Sequence, residues 1–146
     1  MKQILRQISL LAAFLMLTAC GSKVQPTQLA DQILAKYVDM AEALSSVKDA
    51  ESAGEAAVEI TKIGDDLLQI AEQAEDLDEV TAELRQRNRA EYIKVMDRLL
   101  YAKDQLGRRV ADDREAMQIL VAAMEEFEAK ESSMEPLFAL LGLRVD

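Results

Sequence analysis

Between residues 53 and 77 the apolar side chains follow a strict alternation of three- and four-residue steps: Ala53, Ala56, Ile60, Ile63, Leu67, Ile70, Ala74 and Leu77. That is a heptad seam, a stripe that stays on one face of a helix and is buried lengthwise against another helix. A strand, with its period of two, would send the same residues to both faces. Alanine at the ends of the seam lets a neighbouring backbone approach closely. Gly54 and Gly64 lie within the same helix and each weakens it by about 1 kcal/mol relative to Ala. Gly64 is the candidate for close packing.

The flanking sequence supplies helical partners. Leu29, Ile33, Tyr37, Met40, Leu44 and Val47 recur at steps of four and three, one apolar stripe of a first helix that Thr27 is placed to cap. Ser52-Ala53-Gly54-Glu55 has capping-box spacing, which predicts a break over 48–51 and a second helix from near Ala53. After Asp76-Leu77-Asp78 a third helix is predicted from near Glu79 to about Arg109. Its first half has only Val80 and Leu84 as large apolar residues, whereas its second is amphipathic through Tyr92, Val95, Met96, Leu99, Leu100, Ala102 and Leu106. Asp112-Asp113-Arg114-Glu115 reads as a further capping box opening a fourth helix. Residues 119–124 are apolar on every face, so this helix is expected to be the most buried. Ser133 and Pro136 fit the first turn of a last short helix over 134–141, stopped by Gly142. The chain is therefore predicted to be all-α, an antiparallel bundle of three to four longer helices with a short C-terminal helix closing one end. In the three-helix variant the first helix is peripheral.

Upstream of the bundle the pattern changes. Lys2 and Arg6 are the only charges before residue 23, and the apolar run Leu10-Leu11-Ala12-Ala13-Phe14-Leu15-Met16-Leu17 follows them. Positive residues, a short apolar core and small residues before a cut are the layout of a secretory signal peptide. From Ile8 to Ala19 the run is 12 residues long and includes Ser9 and Thr18, short of the ~20 apolar residues that a membrane span needs. An uncleaved anchor and a buried helix are the rival readings.

The segment ends in Leu17-Thr18-Ala19-Cys20, which resembles the lipobox of bacterial lipoproteins. The resemblance covers residues 1–20. It implies diacylglyceryl transfer to the Cys20 sulfur and cleavage after Ala19, with residues 1–19 as signal peptide, 20–26 as lipidated cysteine and tether, and 27–146 as the helical domain. Gly21 and Ser22 follow, with no Asp at the second position. In a host with two membranes the resemblance then implies the outer membrane, facing the periplasm. Two or three acyl chains give the stable anchoring that one chain does not. Lipidation also accounts for the chain's single cysteine. Residues 21–26 extend at most ~20 Å, which keeps the domain close to the bilayer.

Removing residues 1–19 takes away Lys2 and Arg6 and no acidic residue, leaving 15 basic and 27 acidic side chains. Such acidity argues against nucleic acid and against adhesion to anionic headgroups. The charge is unevenly spread. Residues 39–83 carry 14 acidic and two basic side chains, residues 84–114 nine basic and five acidic, residues 115–135 six acidic and one basic. The third helix is thus basic between two acidic neighbours, and the plain reading pairs these charges across the rims of the bundle. A sharper reading makes Arg85, Arg87 and Arg89 a contact site for an anionic partner. Arg85 and Arg89 share a helical face that Arg87 does not.

Chemistry-bearing patterns are sparse. The chain has no His, which removes the usual base for a Ser or Cys nucleophile and the Glu-x-x-His motif of bundle di-iron sites. No metal or cofactor is expected. Glu72/Glu75 and Glu125/Glu128 have Glu-x-x-Glu spacing but read as solvated faces. Asp65-Asp66 lacks the glycine and closing Glu of a calcium loop. Met40, Met96, Met117 and Met124 lie in apolar stripes, where Met is ordinary core filling. Leu137, Phe138, Leu140, Leu141 and Leu143 make an apolar tail expected to pack on the bundle end. The expected protein is a non-enzymatic envelope lipoprotein held by lipid on Cys20, with a structural or protein–protein interaction role that includes self-association. The alternative is a carrier for an apolar ligand held in a bundle cavity.

Overall fold

A computed structural model describes residues 24–144. The signal segment, the lipobox and Cys20 lie outside the described residues. The chain is an all-α bundle: α1 (Pro26–Ser46), α2 (Ala50–Glu72), α3 (Ala82–Arg109), α4 (Arg114–Ser133) and the short α5 (Glu135–Leu141). A single 3-10 turn, Gln73–Asp76, extends the end of α2.

Helix starts follow local chemistry, in places shifted from the sequence expectation. Thr27 does not cap α1; Pro26 occupies the first turn, and the N-cap residue Gln25 makes no side-chain capping hydrogen bond. Proline suits that place because its fixed φ is already helical and the N–H it lacks has no partner in the first turn. α2 begins three residues before Ala53. Asp49 is its cap and accepts from the Ser52 backbone N–H at 2.9 Å, while the Ser52 hydroxyl accepts from the Asp49 N–H at 3.0 Å. Ser52 is thus the reciprocal partner in the capping box, not the cap. Thr81, rather than a residue near Glu79, caps α3. Asp113 caps α4 through the Ala116 N–H, one position later than the spacing from Asp112 implied. α5 ends at Gly142, whose φ of 77° is open to glycine at little steric cost.

Consecutive helices reverse direction, yet the most extensive packing joins α1 to α3 and α2 to α4, with α1 to α2 next. Those first two pairs run parallel. Arg87 reaches Asp31 at 2.8 Å, and Arg98, eleven residues on, reaches Glu42 at 2.8 Å. Arg109, eleven further still, donates to the carbonyls of Leu44 and Val47 at 2.8 and 3.0 Å. It thereby satisfies carbonyls that the end of α1 leaves open. An eleven-residue spacing returns to nearly the same helical face after three turns, so one row of arginines sets the register of the pair.

The charge pairing follows this topology. Basic α3 pairs with α1 and is not closely packed on α2. Acidic α2 and α4 lie side by side, bridged by Lys130, which contacts Asp65 at 2.7 Å and Glu126 at 2.8 Å. The adjacent Asp66 turns to the other side and holds Lys36 of α1 at 2.8 Å. At Gly64 side chains of α4 lie close against α2: a Cβ there would stand 2.9 Å from Lys130 Cδ and 3.6 Å from Phe127.

The most buried helix is α1, not α4. Leu29, Ile33, Met40 and Leu44 are wholly buried because α1 lies between α2 and α3. The seam of α2 is buried from Ala53 to Ile70, while Ala74 and Leu77 fall past the helix end and are partly covered. On α4 only Ala116, Leu120, Ala123 and Phe127 are buried, and Met117 and Val121 are exposed. One flank of α4 lacks a neighbour.

Candidate functional site

That flank faces α3. The two helices sit on α1 and α2 but are not closely packed on each other, which leaves one long side of the bundle to be filled. Its lower part, nearest Pro26, is filled by α5. Phe138, Leu141 and Leu143 are buried, Asn88 Nδ2 of α3 donates to the Leu141 carbonyl at 2.8 Å, and Gly142 lies against the Arg85 backbone. The apolar tail therefore packs as expected, with only Leu140 largely in solvent.

Four aromatic rings meet beneath α5. Tyr37 of α1 is surrounded edge-on by Tyr92, Phe127 and Phe138, with ring centroids 6.2–6.3 Å away. Such edge contacts set the positive rim of one ring on the negative face of another. The Tyr37 hydroxyl donates to the Glu131 carboxylate of α4. Burial pushes the Tyr37 pKa far above the usual phenol range, and the neighbouring Glu131 charge adds to the effect. Tyr92 is raised for the same two reasons.

Above α5 the gap is open. Leu44 forms the floor of a groove of about 310 Å³, walled on one side by Lys103, Leu106 and Gly107 of α3. The other wall is Met117, Leu120, Val121, Met124, Glu125 and Glu128 of α4. Met117 is therefore groove lining rather than core filling, whereas Met40 is buried and Met96 and Met124 are partly so. Glu125 and Glu128 stand at the groove wall, and Glu72 is exposed. Among the described residues no group of three or more His, Cys, Asp or Glu side chains is placed to hold a metal ion, and no helix is long and apolar enough to cross a membrane.

The three arginines singled out in the sequence are not brought together. Arg85 and Arg89 line one depression of about 400 Å³ with Ala82, Gln86, Ala139 and Gly142. Arg89 Nε donates to the Arg144 carbonyl at 3.1 Å. Arg87 faces α1 and pairs with Asp31. In this part of α3, α1 covers one flank and α5 the other.

Comparison with protein-family models, curated proteins and solved structures returned no match to this chain. The groove is what sequence reasoning missed. Its signal was residues 119–124, apolar on every face: such a run is either enclosed by neighbours or left facing an opening, and periodicity alone does not separate the two.

Proposed function

We propose that this chain is a bacterial envelope lipoprotein, anchored by lipid on Cys20, with a non-enzymatic role in envelope structure or protein–protein interaction. The observation that carries the interaction role is the apolar α3–α4 groove. Its floor residue, Leu44, lies about 27 Å along α1 from Pro26, where the tether joins. The lipobox residues Leu17, Thr18, Ala19 and Cys20 support the anchor, and the lack of His supports a non-catalytic role. In a host with two membranes, Ser22 at the sorting position favours the outer membrane, facing the periplasm.

Two measurements test this. Radiolabelled palmitate should label the full-length chain in a lipoprotein-processing bacterium, and Cys20→Ser should abolish the label; labelling that survives the substitution sinks the anchor. Crosslinking in the native envelope should capture protein at the groove face. Recovery of no adduct of any kind removes the interaction role.

The groove's apolar walls also favour a second reading, a carrier of a small apolar ligand. Ligand pockets run from about 300 to 1,000 Å³ and enclose most of the ligand. At about 310 Å³ this groove reaches only the lower end of that range and is open along one side. Extraction and mass spectrometry of the purified protein test that reading, which predicts a stoichiometric lipid.

A further inference from the structure

The groove walls differ in charge. Lys103 stands on the α3 wall, Glu125 and Glu128 on the α4 wall. Among the described residues none of these three side chains forms an ion pair, although other charged groups of α3 and α4 do. The groove also leaves apolar surface in water: Val121 is 48 % exposed and Met117 37 %, and Leu100, one turn from Lys103 on α3, is 58 % exposed. Unpaired opposite charges flanking exposed apolar side chains make a surface that complements itself.

We propose that a second copy of this chain docks on the α3–α4 face, about a two-fold axis parallel to the helices. Such a rotation exchanges left and right across the face while keeping each helix end at its own level. It lays α3 of one copy against α4 of the other, and Lys103 meets Glu125 and Glu128 of the second copy, twice over. An axis lying in the face but perpendicular to the helices would set α3 on α3 and bring Lys103 toward its own equivalent. Like charges so placed oppose association.

The tether bears on the same choice. With the axis parallel to the helices, both α1 helices begin at one end and both lipids reach one bilayer from an upright dimer. With the perpendicular axis the attachment points lie at opposite ends, and with tethers of at most ~20 Å both lipids reach one bilayer only if the helices lie flat on it. This second argument rests on the anchored reading above; the charge argument does not. Confinement to one membrane raises the effective concentration, so an interface of modest area suffices.

The test places the photo-crosslinking residue p-benzoylphenylalanine at position 121 in place of Val121. It uses two differently tagged full-length copies in intact cells, with parallel palmitate labelling. The expected result is an adduct joining both tags, mapped by peptide mass spectrometry to residues 96–107 of the other copy. Lys103→Glu should lower its yield about threefold or more, as reversed rim charges do, and adding Glu125→Lys and Glu128→Lys to the same chain should restore it. An adduct to α4 of the second copy, an adduct to a different protein, or no adduct overturns the proposal, as does failure of the triple reversal to restore the yield. Palmitate on Cys20 without an adduct leaves the anchor standing and removes the dimer. An adduct without palmitate supports the docking face and removes the anchor.

Discussion

The lower and upper halves of the α3–α4 side are built from the same two helices and end in opposite states. In the lower half α5 and the Tyr37, Tyr92, Phe127 and Phe138 rings fill the space; the Leu141 carbonyl is held by Asn88 Nδ2 and the Tyr37 hydroxyl by Glu131, while Asn88 Oδ1 is buried without a partner among the described residues. In the upper half Met117 and Val121 face water along an open groove. The difference lies in what the chain supplies for the gap. Seven residues of α5 cover only about 10 Å of it, so an intrachain plug closes one end and leaves the other open. Substitutions at the closed end should accordingly disturb folding, and those at the open end should disturb association.

The largest effect is expected from Phe138→Ala. The ring is buried and packs edge-on against Tyr37, so its loss should cost about 3–5 kcal/mol. Urea unfolding of the chain lacking residues 1–20 measures it. A change below about 1 kcal/mol would mean that α5 does not plug the bundle. Gly142→Ala comes next. Its Cβ would stand 2.6 Å from the Arg85 carbonyl oxygen and 2.8 Å from the Arg85 Cα, at a φ of 77°. Backbone atoms cannot swing aside as a long side chain does, so a loss of about 2 kcal/mol is expected. Limited proteolysis should show α5 released before the remaining helices.

How much of this was legible in the sequence follows from what each signal measures. The seam of α2 reports one buried face directly, and Ile60, Ile63 and Leu67 are buried as read. Gly142 as the stop of α5 was equally clear, since few residues other than glycine suit a left-handed cap. Which helices neighbour one another was not legible. Arg87 and Arg98 could as well have faced α2 or α4; that they pair with α1 follows from the crossing between 77 and 81, which periodicity does not encode. The groove was hidden for a related reason. Val121 and Leu120 look alike in sequence, and only the absence of a helix on one flank of α4 exposes the first and buries the second. At the start of α2 the capping-box spacing from Ser52 pointed to the right turn but the wrong cap: Asp49 is the cap and Ser52 its reciprocal partner.

A middle-sized effect is expected at Tyr37→Phe. The ring contacts stay, while the Glu131 carboxylate loses its hydroxyl donor, so about 1–2 kcal/mol should be lost. The same hydroxyl gives the closed end an alkaline dependence. Burial raises the Tyr37 pKa in the folded state, so its contribution is complete below the ordinary phenol value of 10.0 and is lost as pH climbs above it, by about 1.4 kcal/mol per unit. Lys36 and Lys130 act with the same sign. Hydrogen bonds to Asp66 and to Asp65, respectively, raise their values above 10.5 in the fold, so that stability also fades only as pH rises past that point. Urea midpoints at pH 8 and pH 11 should therefore differ, and less so in Tyr37→Phe. An equal drop in both proteins would assign the alkaline loss to the lysines alone.

The smallest folding effect is expected at Val121→Ser, where the contrast between the two halves is sharpest. Val121 is 48 % exposed on the groove rim, and valine and serine differ little in helix propensity. Folding of the monomer should change by less than about 0.5 kcal/mol. Association should respond differently, because docking removes this side chain from water and a serine hydroxyl placed there is desolvated without an assured partner. Equilibrium sedimentation of the lipidated protein in detergent, beside urea unfolding of the soluble domain, separates the two quantities. A weakened dimer with an unchanged urea midpoint marks the upper groove as a surface kept for a partner. A lowered midpoint with unchanged association would mean that Val121 supports the fold as Phe138 does, and the two halves of the α3–α4 side would then differ in packing density rather than in purpose.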